Sequence, residues 1–227
     1  MQLELDGLAI TLLRKRIKNL NLRIHQTGAV QISAPMALSL DKVYRFLHDK
    51  RAWIDFHRQR LLQREPLVLT KTLQPGETLY FLGQPHDIQL HETLKKNHII
   101  ADHDTVHFFI KPELTLEKKQ VLLKRWYCEQ MLSRLPDLFK KWESIITVHA
   151  NTYTIKTMKT RWGSCHPTQK RISLNLRLIE KPLICLEYVI VHELVHLLEA
   201  SHNKRFYALM SQFMPEWKQV KMQLESS

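Results

Sequence analysis

Apolar and polar residues alternate early in the chain. Leu20, Leu22 and Ile24 alternate with polar neighbours, Thr27-Gly28 offers a turn, and Val30 and Ile32 resume the pattern, which predicts a hairpin over residues 20–34. Pro35 ends the pairing, and Ser39 is an N-cap candidate for a helix over 40–63. The apolar stripe of that helix is Val43, Phe46, Leu47, Ile54, Leu61 and Leu62, with Trp53 beside it. Its other face carries Lys42, Arg45, Lys50, Arg51, Arg58, Arg60 and Arg64, diluted by Asp41, Asp49 and Asp55. Residues 66–111 read as β-rich, with a turn at Gly83-Gln-Pro85. Five histidines fall there (His86, His91, His98, His103, His107); none has a tight ligand spacing, so they read as surface strand and turn residues. From Leu114 a helical pattern runs to about residue 135 and breaks at Pro136. Strands are predicted near 145–149, 152–157, 160–165 and 171–175, the last two joined by Pro167-Thr-Gln-Lys170, and helices near 183–199, 203–213 and 215–224.

These elements predict an α+β chain. A β-rich N-terminal region with one long helix, residues 1–113, precedes a C-terminal domain, 114–227, with the seam at 112–115. A content of 44% hydrophobic and 25% charged residues excludes a chain disordered throughout. No apolar run approaches the roughly 18 residues of a membrane span, so no membrane partner is expected. The N-terminus is acidic and lacks a secretory signal's basic start. Three cysteines (Cys128, Cys165, Cys185) without a CxxC pair argue against a disulfide scaffold, and the expected location is cytoplasmic. Lys and Arg total 34 against 22 Asp and Glu, a net +12. That surplus fits either a solvated basic surface or a nucleic-acid partner. The 13 histidines invite a search for metal chemistry.

His192-Glu193-Leu194-Val195-His196 is an HExxH sequence. Residues four apart lie on one face of a helix, so both imidazoles can reach one zinc ion. Glu193, at the edge of that face, can take the proton of a water that zinc makes acidic as the water attacks a carbonyl. In a chain with 13 His and 14 Glu a chance HExxH has a probability of roughly 0.05; requiring His202 as well lowers it to roughly 0.003. His202 follows His196 by six residues, and a continuing helix would point it away from the metal. The helix is therefore expected to end between Leu198 and Ser201. Many proteases with this spacing place glycine three residues after the second histidine; here Glu199 stands there. Residues 183–198 are almost wholly apolar, the mark of a core helix, where paired or metal-bound polar groups are the affordable ones. Phe206, Met210 and Phe213 predict an amphipathic helix packing His202 inward. Three protein ligands leave a catalytic position open; the alternative is a structural site completed by Cys165 or His166.

The second dense stretch is Met158-Lys-Thr-Arg-Trp-Gly-Ser-Cys165, followed by Ile172-Ser-Leu-Asn175. A strand here could bind extended substrate by strand addition, with Arg161 stabilising an oxyanion and Trp162 walling a subsite. The other reading makes Trp162 core, Gly163 a bulge and Arg161 a structural ion-pair member. Cys165 is also a candidate cap on the metal in a latent form.

With these residues, the chain resembles the YgjP-like metallopeptidase family. The resemblance is carried by Met158–Cys165, Ile172–Asn175, Tyr188–His196, His202-Asn-Lys-Arg-Phe206 and Pro215-Glu-Trp217. Further matches are Ala34-Pro35, Arg51-Ala-Trp-Ile54 and Tyr80-Phe-Leu-Gly83. The HExxH…HxxxF pattern is similar also to SprT/Spartan and WLM proteases, relatives that include enzymes acting on proteins crosslinked to DNA. The resemblance implies a zincin-like core, in which an HExxH helix packs on a small β-sheet. It also implies Zn2+ held by His192, His196 and His202, with Glu193 as general base and peptide or protein as substrate.

Overall fold

The computed structural model describes residues 1–25, 28–62 and 72–226, and the chain divides into two compact units, Met1–Pro66 and Leu67–Ser227. Thr27, residues 63–71 and the side chains of Arg60, Leu61 and Leu62 lie outside the described residues.

The first unit is a four-stranded sheet with two helices. Strands β1 (Gln2–Leu5), β2 (Leu8–Lys15), β3 (Asn21–Ile24) and β4 (Val30–Pro35) lie in the order β1-β2-β4-β3. The expected hairpin is β3 antiparallel to β4, and β2 joins β4 in parallel. Asp6 and Gly7, both with positive φ, form the two-residue turn between β1 and β2. In place of one helix over 40–63 there are two, α1 (Leu40–Asp49) and α2 (Arg51–Leu62), parted at Lys50. At the break Arg51 donates to the Leu5 carbonyl (2.6 Å), a long-range tie that no helical period announces, and to Asp55 one turn on (2.9 Å). Val43, Leu47 and Ile54 are buried with alternate strand residues such as Ile10, Val30 and Ile32, whereas Trp53 is exposed.

The second unit begins with β5 (Thr78–Phe81), β6 (Gln84–Glu92), β7 (His98–Asp102) and β8 (Thr105–Ile110), in the order β5-β6-β8-β7. Leu79, Ile88, Val106, Phe108 and Ile110 are buried in one core with Leu123, Trp126 and Tyr127 of α3 (Leu116–Leu132). That core runs unbroken from Leu73 to Leu224, so the seam expected at 112–115 falls inside it. The β5–β6 turn shows why. Leu82 and Gly83, both with positive φ, dock on the segment ahead of the helix Leu183–Val195: Leu82 N–H donates to Ile179 O (2.8 Å) and Gly83 N–H to Glu180 O (3.2 Å). A Cβ at Gly83 would lie 2.6 Å from Pro182 Cγ.

Pro136 sits in the first turn of α4 (Leu135–Ile146), where no backbone N–H is needed. The strand expected near 145–149 is instead the end of this helix. Leu135, Phe139, Trp142 and Ile146 recur at helical spacing and are all buried, and Thr147 caps the helix in the left-handed conformation. Then β9 (Thr152–Lys156), β10 (Gly163–His166) and β11 (Arg171–Asn175) form a sheet ordered β10-β11-β9, with β10 at its edge. The chain continues through α5 (Leu183–Val195), α6 (Lys204–Phe213) and α7 (Trp217–Ser226). The whole is mixed α+β, with α5 central: ten of its residues are buried and it packs on α4, α6, α7 and β10. Glu187, buried on α5, accepts hydrogen bonds from Trp142 Nε1 (2.8 Å) and Lys141, which fixes α4 against it. No described helix is long and apolar enough to cross a membrane.

Candidate metal centre

Helix α5 carries His192 and Glu193 on its last turn, with His196 as its C-cap, and ends three residues sooner than the earliest expected position. The chain then tightens: Leu197 N–H bonds to Leu194 O (2.9 Å) and Leu198 N–H to Val195 O (2.9 Å), both three residues back. No residue from 196 to 203 has positive φ, which is why Glu199 can stand where a left-handed turn would favour glycine. The Glu199 carbonyl has a use of its own. It accepts from His196 Nδ1 (3.1 Å), which fixes the ring and leaves the Nε2 lone pair free. Asn203 then caps α6, its side chain accepting from Phe206 N–H (3.0 Å).

His192, His196 and His202 converge, each offering a nitrogen within 4.8 Å of the others, in a group that could hold a metal ion. His192 Nε2 and His202 Nε2 are 3.0 Å apart. Phe206, fully buried on α6, lies under all three rings, at 4.9, 4.7 and 4.7 Å between centroids from His192, His196 and His202. Helix α6 thus packs beneath the triad as expected, while His202 itself stays exposed on the open side. Among the described residues the convergent group is these three histidines; neither Cys165 nor His166 belongs to it. Burial pushes the Cys165 thiol up to about 11, with Glu193 adding to the effect.

The electrostatics suit a ligand set. Burial, then the neighbouring His196, His202 and Lys221, push His192 down to about 3, so its imidazole is neutral, the form that ligates. Burial also lowers His196. Glu193, buried beside them, is pushed up to about 8 by desolvation, with Arg161 acting in the opposite direction. Three imidazole nitrogens and no thiolate are the donor chemistry of a borderline metal such as zinc.

Strand β10 approaches this group closely. A Cβ at Gly163 would lie 2.6 Å from Glu193 Oε1 and 2.8 Å from Val189 Cγ1, so only glycine fits. Gly163 is paired with Leu174 and forms no bulge. The preceding loop is held by Asn175, itself buried: Nδ2 donates to Met158 O (2.9 Å) and Arg161 O (2.7 Å), and Oδ1 accepts from Arg177 N–H (3.2 Å). Arg161 and Trp162 both line the cleft above the histidines, a space of about 650 Å³. Arg161 is exposed; Trp162 is half-buried, packed on the core with the Arg177 guanidinium 5.7 Å from its ring centre. Tyr188, Lys221, Leu224 and Glu225 complete the walls. The last three come from α7, for which the sequence offered a helix near 215–224 and no chemical signal.

Three converging imidazoles, a buried carboxylate and an open cleft define a metallohydrolase type of site. A family model described as YgjP-like, metallopeptidase domain matches residues 18–227, and the chain belongs to that family of metallopeptidases. Curated proteins gave no match. The crystal structure of the metallopeptidase zymogen of Pyrococcus abyssi abylysin is similar over 40% of this chain and 91% of that one, at 19% identity and a TM-score of 0.38.

Proposed function

We propose that this metallopeptidase is zinc-dependent, with a zincin-like core in which His192, His196 and His202 hold the ion and Glu193 is the general base. The observation that carries the reading is the convergence of three imidazole nitrogens beside buried Glu193 at the floor of the cleft. Bound zinc would supply Lewis acidity, making water acidic near neutral pH and polarising a peptide carbonyl. The residues divide the remaining work. Glu193, buried beside the triad, takes a proton from the attacking water as the carboxylate and passes it to the leaving amine. Arg161, at the mouth, stabilises negative charge developing on the carbonyl oxygen, and Trp162 walls the adjoining subsite. Strand β10 is the edge of its sheet and its Gly163–Cys165 stretch lines the cleft, which supports an extended peptide lying along it through main-chain hydrogen bonds. The positive surplus attracts polyanions of every class and singles out no residue for nucleic acid.

Glu193→Gln tests the role. Zinc content measured by mass spectrometry should stay at one equivalent while hydrolysis of a denatured protein substrate falls at least about 100-fold. Unchanged turnover would overturn the assignment.

A further inference from the structure

The outer face of the sheet in the second unit carries histidines that no local spacing connects. His91 on β6 and His107 on β8 are 16 residues apart, yet the parallel pairing of these strands sets Gln89 opposite His107 and His91 opposite Phe109. His91 and His107 are thus diagonal neighbours on one face, both half-buried, with His91 Nε2 2.9 Å from His107 Nδ1. The other nitrogen of His107, Nε2, lies 3.3 Å from Asp102 Oδ1 on β7. His91 stacks on Phe109 at 4.8 Å, and His98 stacks on the same ring at 4.7 Å from the β7 side. His86, by contrast, is buried and bonded to its own turn at Gln84 O.

We propose that His91 and His107 form a second metal site, taking a borderline divalent ion of the Cu2+ or Ni2+ kind. The tautomers follow from the partners. The carboxylate of Asp102 can only accept, so His107 carries its proton on Nε2 and presents a lone pair at Nδ1. This is the carboxylate–histidine arrangement that orients a metal-ligating ring and raises its basicity. In the metal-free protein His91 Nε2–H fills the gap as a hydrogen bond to that lone pair. When an ion enters, the proton moves through solvent to His91 Nδ1 and both nitrogens turn lone pairs to the metal, with no net proton released. The spacing suits this. Two nitrogens 2.9 Å apart, each about 2.05 Å from one ion, subtend about 90°, the angle of a tetragonal centre. It nearly equals the 3.0 Å between His192 and His202 in the first centre. Strand-borne ligands, one ring clamped by stacking and the other by a carboxylate, are placed before the ion arrives. Water would fill the remaining positions.

The experiment is a metal count on the full chain after equilibrium dialysis with Cu2+. Two equivalents are expected, falling to one in His91→Phe, which keeps a ring against Phe109, and to one in His107→Ala. Asp102→Asn should weaken the second equivalent about 10- to 100-fold while circular dichroism stays unchanged. In the His192→Ala/His196→Ala chain, Cu2+ electron paramagnetic resonance should show coupling to two imidazole nitrogens. A copper count that neither His91→Phe nor His107→Ala lowers, or a His192→Ala/His196→Ala chain that binds no copper, would overturn the proposal. The drop of one equivalent in His91→Phe and His107→Ala is read whether or not the triad fills, so the proposal can fail separately from the peptidase reading.

Discussion

Gly163 has no Cβ to hold it away from Glu193, and that missing atom sets the geometry of the site. Gly163→Ala would bring a methyl group within 2.6 Å of the carboxylate and drive it aside. A displacement on the order of 1 Å at a reacting group costs roughly 100-fold in rate. Hydrolysis should therefore drop by about that factor while metal content, which the proposed ligand set of three histidines would fix, stays at the wild-type level. Wild-type turnover in Gly163→Ala would show that the Glu193 position is not critical. Neither this contact nor the use of the Glu199 carbonyl is visible in the sequence, because each joins atoms whose approach depends on how the backbone turns. The histidine pair in HExxH is visible, because a helix places residues four apart on one face whatever surrounds it.

Between elements, the cleft depends on a loop that has no regular structure of its own. Residues 157–162 are held by Asn175 at the end of β11, through carbonyls at Met158 and Arg161 and through its own backbone N–H to Trp162 O (2.8 Å). Asn175→Ala removes these side-chain bonds from a buried site and should cost about 1–3 kcal/mol in denaturant unfolding. Peptide KM should rise as well, since Arg161 and Trp162 ride on that loop. A stability loss without any kinetic change would show that the loop's position does not matter to substrate. Sequence periodicity found most elements here, but misjudged two. The helix over 40–63 breaks at Lys50, beside the long-range tie from Arg51 to Leu5, and Ile146 closes a helix because it falls in register with Leu135, Phe139 and Trp142.

Across the second unit, metal and pH should act on the fold as a whole. An ion bound by the native triad and not by the unfolded chain stabilises by mass action, so chelation should lower the melting temperature and returned zinc should restore it. Alkaline pH acts through groups buried in neutral form. Burial raises the Cys185 thiol from 9.0 to about 11, and burial raises Tyr127, whose hydroxyl donates to Tyr80 O (2.7 Å). Both pKa values are higher folded than unfolded. Their contribution is therefore intact below about pH 9 and is lost as pH rises, because the unfolded thiol ionises while the folded one does not. Through these two groups the denaturant midpoint should decline between pH 9 and pH 11. In Cys185→Ala the first part of that decline should flatten; an unaltered slope would assign it elsewhere.

The sequence by itself determined what local chemistry can encode. The periods of the strands and helices, the helical face shared by His192 and His196, and the presence of a third histidine at a bounded distance all follow from residues near one another in the chain. Tertiary structure decided the rest. It ended α5 early enough for His202 to return, laid Phe206 under the three rings, and seated the β5–β6 turn ahead of α5 so that residues 73–224 share one core. It also paired β6 with β8 so that His91 met His107. These contacts join positions tens of residues apart, and which of the many possible pairings forms is set by how the apolar faces of whole elements pack together, a choice no local period records.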